Sequence, residues 1–529
     1  MQVIKKILLF FTAIIFLVAC LKDNGNYKYK DLNSPTFYFS SYPKVYGNMG
    51  QRMTFAAKYF YAQADSLELE KNSEYEWLIN DVVICNSKNL DIMADSLMEK
   101  IGLEECPSTG IPGFFIVKNK YTQIAFMHKI TFYVSPKFAK GSWFILSKDG
   151  THSKLSYQRT YAVQDAEGNY IYKYENYDDI FKTQNNSAVL AGNPIKIVDH
   201  WAKYISASVG ATSILTDKVA YEINNEDLKI YSNIKDEFLS PFSSESHFVD
   251  IFHKSHYGSC LIDSDGNLYT RKMSYSDLGG LYSNIPYTVD NKISKFNFVS
   301  QADASASIRF IYDNLNNRLV VFNGDYSISP IAKQGAYDFD ITDMGVDIKL
   351  RAICNGVKSP TTSVTYGYNC GFVVYDKAQK HYVSEFFTHN TDYVSLVQKG
   401  AVSYELPIKL NANSKIIAPE SSSYSIPSKF KYAIFYTYNN ELRYFDRATR
   451  EDNAFITFDS DINIYSFLTC SNYKVNLPDE YSWMAVGLKS GEFFLVDISL
   501  QTPQIIESSR FNVGGEIVDV SLVQGKDVD

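Results

Sequence analysis

No apolar run in the chain is long enough to cross a membrane comfortably. The best candidate, residues 7–18, falls short of the roughly 20 residues that about 30 Å of hydrocarbon requires. There is no cluster of lysine and arginine either: 51 basic residues stand against 59 acidic ones, for a formal charge of −8. That excludes nucleic acid as a ligand, because its phosphates must be neutralised by clustered cations, and it leaves no polybasic patch for membrane binding. Catalytic signatures are missing too: the chain has no G-x-S-x-G elbow, no Walker loop, no G-x-G-x-x-G and no H-E-x-x-H. Cysteine is sparse, seven in all, with no C-x-x-C and no metal-ligand spacing.

What the chain does have begins at its N-terminus. Lys5 and Lys6 precede the apolar run, and Ala19 places a small residue before Cys20, which is the order of a secretory signal. Leu17-Val18-Ala19-Cys20 resembles the bacterial lipobox, in which the cysteine is acylated and becomes the new N-terminus. The expectation is a signal peptide over residues 1–19, lipidation at Cys20 and a polar tether over residues 20–35. Removing residues 1–19 takes away two positive charges and leaves a body of charge −10. Leu21-Lys22-Asp23 resembles the lysine-plus-acid signal of surface-exposed lipoproteins, so the expected location is the outer face of the outer membrane.

Forty-one tyrosines and 35 phenylalanines favour pleated, half-buried surfaces and hence an all-β fold. From residue 36 to 138, short segments such as "RMTFAAKYFY", "YEWLIND", "GFFIVK" and "KITFYVSP" predict an immunoglobulin/PKD-like β-sandwich. "LDIMADSLMEKIG" has helical spacing and predicts an inserted helix. Cys85 and Cys106 are the most plausible local disulfide pair in an exported, oxidising context.

Beyond Gly141 one pattern recurs: an apolar strand, a polar turn of about four residues and a second strand. It starts at Ser142, Ser206, Gly258, Ile308, Gly371, Tyr432 and Trp483. The later starts are spaced on the scale of four-stranded propeller blades. A row of separate sandwiches would need Pro/Gly/Ser linkers between copies, and none is convincing. The expectation is a β-propeller over residues 139–529, seven-bladed with six or eight as alternatives. The final "GGEIVDVSLV" is placed to complete the ring with the first blade.

"CLKDNGNYKYKDLN", "YEWLIND" and "KGSWFILSKDG", in that order, resemble the PKD-like family of outer-membrane lipoproteins. The matching positions are Cys20, Asp23, Gly25, Asn26, Tyr27 and Tyr29, then Tyr75 and Trp77, then Gly141, Trp143 and Leu146. Where the glycine-aspartate turn is typical, this chain has Leu78-Ile79-Asn80-Asp81. The resemblance implies an immunoglobulin-like domain, a C-terminal repeat region, and a place beside TonB-dependent nutrient transporters.

Asp263, Asp265 and Asn267 around Gly266 have the alternate spacing of a calcium loop, but the glutamate expected six residues after the glycine is absent, so a hairpin turn is the simpler account. His247, His253 and His256 cluster in sequence and are taken as surface histidines, with no metal expected. Tyr275, Tyr282, Tyr287 and Tyr424 lie in tyrosine-rich connections that could display rings at a propeller mouth to a glycan or peptide ligand. No cofactor is implied. The sequence therefore points to a non-catalytic, surface-tethered binding or accessory module. A propeller glycoside hydrolase or lyase, and a structural subunit of a transporter complex, are the alternatives.

Overall fold

In a computed structural model the chain forms two compact units that divide between Ser135 and Pro136. The structure describes residues 34–38, 43–61, 66–104, 106–107, 109–135, 138, 141–164, 170–203, 208–242, 245–254, 258–272, 280–300, 308–323, 327–357, 359–360, 368–390, 396–419, 427–467, 483–499 and 502–523.

The first unit is a sandwich built on a five-stranded sheet, in the order Lys44–Asn48, Ala125–Ser135, Ile111–Asn119, Ser73–Ile79 and Val82–Cys85. Alternation decides its core. Ile111, Phe115 and Val117 from one strand, with Ile130 and Phe132 from its neighbour, turn inward around Trp77. The Trp77 ring packs 4.8 Å from Phe115, and its indole N–H donates to the Ser87 carbonyl at 3.0 Å. Asn80 and Asp81, both at positive φ, form the two-residue turn between Ser73–Ile79 and Val82–Cys85, the left-handed geometry of a tight hairpin. A polar pair thus makes this turn, with no glycine in it.

The predicted helix is shorter than its spacing suggested. Helix α1, Ala94–Lys100, buries Ala94, Leu97 and Met98, while Asn89–Met93 pairs as a strand with Arg52–Ala56. The expected Cys85–Cys106 disulfide is not formed: both are free thiols, Cys85 accepting from the Ser87 hydroxyl and Cys106 directed at the Phe132 carbonyl.

The second unit is a seven-bladed β-propeller. Each of the seven recurring sequence copies forms the second and third strands of one blade, for example Trp143–Asp149 with His152–Gln164, and Gly258–Asp263 with Leu268–Lys272. The recurring hairpin is therefore the middle of the blade, and the innermost strand comes from the segment before it. Those first strands are Pro194–Lys203 in blade two, Phe248–Lys254 in blade three, Phe296–Val299 in four, Lys349–Asn355 in five, Ile416–Ile417 in six and Ile462–Phe467 in seven. Blade one takes its first strand from the C-terminus: Ile517–Leu522 pairs antiparallel with Trp143–Asp149. Blades four and five are also joined by a parallel pair, Ser327–Lys333 with Leu396–Glu405.

Side-chain alternation explains why the second strand of each blade is buried on both faces and rich in apolar residues. Trp143 and Ile145 pack with Trp483 and Leu495 of blade seven, whereas Phe144 and Leu146 pack with Ile197 and Ile214 of blade two. The same division recurs around the molecule: Ile311 faces blade three and Phe310 faces blade five, while Met484 and Val486 face blade six. Every seam between neighbouring blades thus has its own apolar cluster, each large side chain contributing roughly 1.5–3 kcal/mol on burial. A blade has two buried faces and no core of its own, so the ring must close.

Closure fixes Gly515 just before the last strand. A Cβ there would sit 2.0 Å from the Lys148 carbonyl oxygen, so no larger residue can follow the same path.

Candidate functional site

The seam between blades two and three carries charge as well as apolar surface. On blade two, register sets Glu222 opposite Ser213, and His200 opposite Ala211 two residues along, so all three polar side chains share one face. On blade three, His253 stands opposite Ser259 and Ser259 opposite Arg271, a straight row across three strands. These two rows meet, and all six polar side chains are buried.

Arg271 organises the outer half. Its Nη2 donates to Glu222 Oε1 at 2.5 Å, its Nη1 donates to Glu237, and its Nε donates to Ser259 Oγ at 2.7 Å. The guanidinium lies 4.6 Å from the centroid of the Tyr282 ring, whose hydroxyl bonds Ser259 at 2.8 Å. Glu237 comes from a short 3₁₀ turn, Ile234–Glu237, and also accepts from Ser232.

The inner half is histidine. The His200 and His253 rings stack nearly parallel with centroids 3.6 Å apart. His253 Nε2 meets Ser213 Oγ at 3.1 Å, and His200 Nε2 lies 3.7 Å from Glu222 Oε1. Among the described residues, neither ring nitrogen of His200 nor Nδ1 of His253 has a hydrogen-bond partner, although both side chains are buried.

Two carboxylates share one guanidinium, so the seam has an excess of negative charge. Burial works against the Glu222 anion, but Arg271 and His200 hold its carboxyl below the usual range. For Glu237, burial and the neighbouring Glu222 charge push the carboxyl up. Burial, followed by the proximity of His200 and Arg271, drives His253 well below an ordinary imidazole, which keeps that ring neutral.

Glu222, Glu237 and Arg271 border a cavity of about 380 Å³, completed by Tyr231, Ser232, Asp236, Gly280 and Leu281. That volume lies within the range of small-ligand sites. Its wall holds three carboxylates against one guanidinium, with one aromatic and one aliphatic side chain. Such a surface suits a small molecule rich in hydrogen-bond donors.

The tyrosines expected at the propeller mouth are placed otherwise. Tyr282 is fully buried, packed on Phe238 and beneath Arg271, and does not present its ring. A ring that can cover both a phenylalanine and a guanidinium is worth more inside than at the surface. Tyr287 is half-buried, its hydroxyl accepting from the Ile328 backbone N–H at 3.1 Å. Tyr275, Tyr424 and Cys20 lie outside the described residues. Of the histidines taken as surface residues, His247 is half-buried and His256 lies outside the described residues, but His253 is buried against His200. Asp263 caps a hairpin turn, accepting from the Asp265 and Asn267 backbone N–H groups around Gly266 at positive φ.

Sequence reasoning missed His200, Glu222, Glu237 and Arg271. The available signal was a charged residue inside an apolar strand, as in "VAYEIN" and "LYTRK", where alternation alone would turn it inward. Buried Arg–Glu pairing also occurs elsewhere in the ring. Arg447 lies 3.2 Å from Glu385, which accepts from the Tyr404 hydroxyl. The second carboxylate, the histidine pair and the cavity distinguish the seam of blades two and three from that one.

Residues 20–194 match the model of the PKD-like family. No curated protein matches the chain. Among solved structures, the chain is similar to a quinonprotein alcohol dehydrogenase-like protein from Bacteroides thetaiotaomicron, at 10% identity over 93% of this chain and 97% of that one, with a TM-score of 0.31. It is also similar to YCF48 bound to D1 peptide, at 8% identity over 60% and 81% with a TM-score of 0.32. A third is the dihydro-heme d1 dehydrogenase NirN, at 8% identity over 76% and 73% with a TM-score of 0.34.

Proposed function

We propose that the protein is a lipid-anchored accessory binding module at the bacterial cell surface, holding a small glycan or peptide in the cavity between blades two and three. The cavity itself carries this reading: its acidic wall complements ligands that present ammonium or several hydroxyl groups, and its volume admits one short ligand. Glu222 and Glu237 are already held by Arg271, which favours fixed recognition over proton delivery. Acylation at Cys20 attaches the chain to the outer membrane, and the cargo is passed to a TonB-dependent transporter and its partner lipoprotein. The lipobox-like residues and the PKD-like match over residues 20–194 support this placement.

The test is a pull-down of tagged, full-length protein from detergent-solubilised outer membrane, beside a Cys20→Ala control. Recovery of a transporter and its partner lipoprotein with the native chain only is the expected result. Recovery of the protein alone contradicts the accessory role.

A second reading, a glycoside hydrolase, is favoured by the convergence of two glutamates on one cavity wall. It requires turnover of aryl glycosides that Glu237→Gln abolishes.

A further inference from the structure

We infer that His200, Glu222 and His253 form a binding site for a divalent transition metal, with zinc the ion their chemistry fits best. The inference is independent of the ligand proposed for the cavity. One ligand atom from each residue lies within 4.8 Å of the other two, and all three side chains are buried. Two imidazoles and one carboxylate form a mixed nitrogen and oxygen set of the kind that holds zinc with one coordination position open.

Three observations point to an ion here rather than to ordinary packing. The first is the set of orphaned nitrogens. Buried imidazoles normally satisfy at least one ring nitrogen, yet His200 has neither satisfied within the described residues and His253 lacks a partner at Nδ1. The second is that partners already hold the ligands in place: Ser213 holds His253 Nε2 and Arg271 holds Glu222 Oε1, and metal sites use such partners to orient their ligands. The third is charge. Glu222 and Glu237 together face the single guanidinium of Arg271, so a dication at Glu222 would relieve the crowding of two carboxylates there.

Glu222 belongs both to the trio and to the cavity wall, which gives an ion a polar way in. The stacked arrangement of the two imidazoles must open slightly on binding, because an ion in the plane of both rings requires one of them to turn about its Cβ–Cγ bond. His200 is the ring that can turn, since neither of its nitrogens holds a hydrogen bond within the described residues, whereas Ser213 fixes His253 through Nε2.

The experiment uses the full chain with Cys20→Ala, stripped with chelator and titrated with Co²⁺ and then Zn²⁺. The expected result is one Co²⁺ per chain, with the visible spectrum of a four-coordinate nitrogen and oxygen site, displaced stoichiometrically by Zn²⁺. His253→Ala and His200→Ala are each expected to weaken Zn²⁺ binding by roughly 100-fold or more, while Asp236→Asn, in the cavity but outside the trio, changes it little. A featureless Co²⁺ titration of the unmutated chain overturns the site without reference to any variant. Undiminished binding in the histidine variants overturns it equally. Loss of glycan or peptide binding in Asp236→Asn with Zn²⁺ binding intact separates this inference from the proposed function.

Discussion

Arg271 of blade three and Glu222 of blade two meet at 2.5 Å across a seam where both side chains are almost wholly excluded from water. Such a pair contributes little net stability compared with a well-packed apolar pair, but removing one partner strands the other charge. Arg271→Met is therefore expected to destabilise the propeller by about 3–5 kcal/mol, since it leaves Glu222 and Glu237 together without a cation. Arg271→Lys should recover only part of this, because a single ammonium cannot reproduce the fork that reaches both carboxylates and Ser259. Urea denaturation of the two variants decides the matter; a loss below about 1 kcal/mol for Arg271→Met would show that the seam is hydrated.

Ring closure has its own signature. Gly515→Ala places a methyl group against the Lys148 carbonyl and is expected to cost about 1–3 kcal/mol. Ile517→Ala, in the closing strand, empties part of the cluster shared with Trp143 and Phe493 and is expected to cost about 2–5 kcal/mol. Both are read from the midpoint of thermal or urea unfolding. No change in either would mean that the last strand does not hold the ring together.

Stability should also depend on pH through Asp519, in the closing strand. Burial raises its carboxyl to about 6, against the backbone N–H of Ile197 and the charges of Lys196 and Lys415, which favour the anion. A carboxyl raised on folding binds more protons in the native state than in the unfolded one, so its stabilising effect is complete below the unfolded value of 3.8 and is lost as pH rises through about 6. Asp519→Asn keeps an acceptor for Ile197 without the charge. It is expected to be more stable than the native chain by ~1–2 kcal/mol at pH 8, with the advantage gone at pH 4. Equal stabilities at both pH values would refute the assignment.

Trp77 anchors the N-terminal sandwich. Trp77→Ala is expected to cost that unit about 3–5 kcal/mol, and Trp77→Phe less, because the phenyl ring still fills most of the space beside Phe115 while losing only the bond to the Ser87 carbonyl. Differential proteolysis of residues before Ser135 reports the change.

Much of the fold was legible because its signals are local. Segments such as "WFILSKDG" and "WMAVGLKSGEFFLVDI" declare two strands and a turn within a few residues, and their recurrence gave seven blades. Leu90–Met93 misled because its apolar residues also fit a helical period, and pairing with Arg52–Ala56 decided for strand. Tyr282 misled because a connection rich in polar residues looks exposed, whereas its ring is claimed by Phe238 and Arg271. His200, Glu222, His253 and Arg271 could not be grouped from sequence. Their proximity depends on which faces of two separate blades turn toward one another, and that is set by ring order and strand register.

The most direct test of the binding role is an array of short oligosaccharides and peptides probed with the full Cys20→Ala chain and with the same chain carrying Tyr231→Ala and Asp236→Asn. A small set of amine-bearing or hydroxyl-rich ligands retained by the first protein and lost by the second is the result expected. Retention of every ligand by the altered cavity, or no ligand for either protein, would contradict a binding function at this seam.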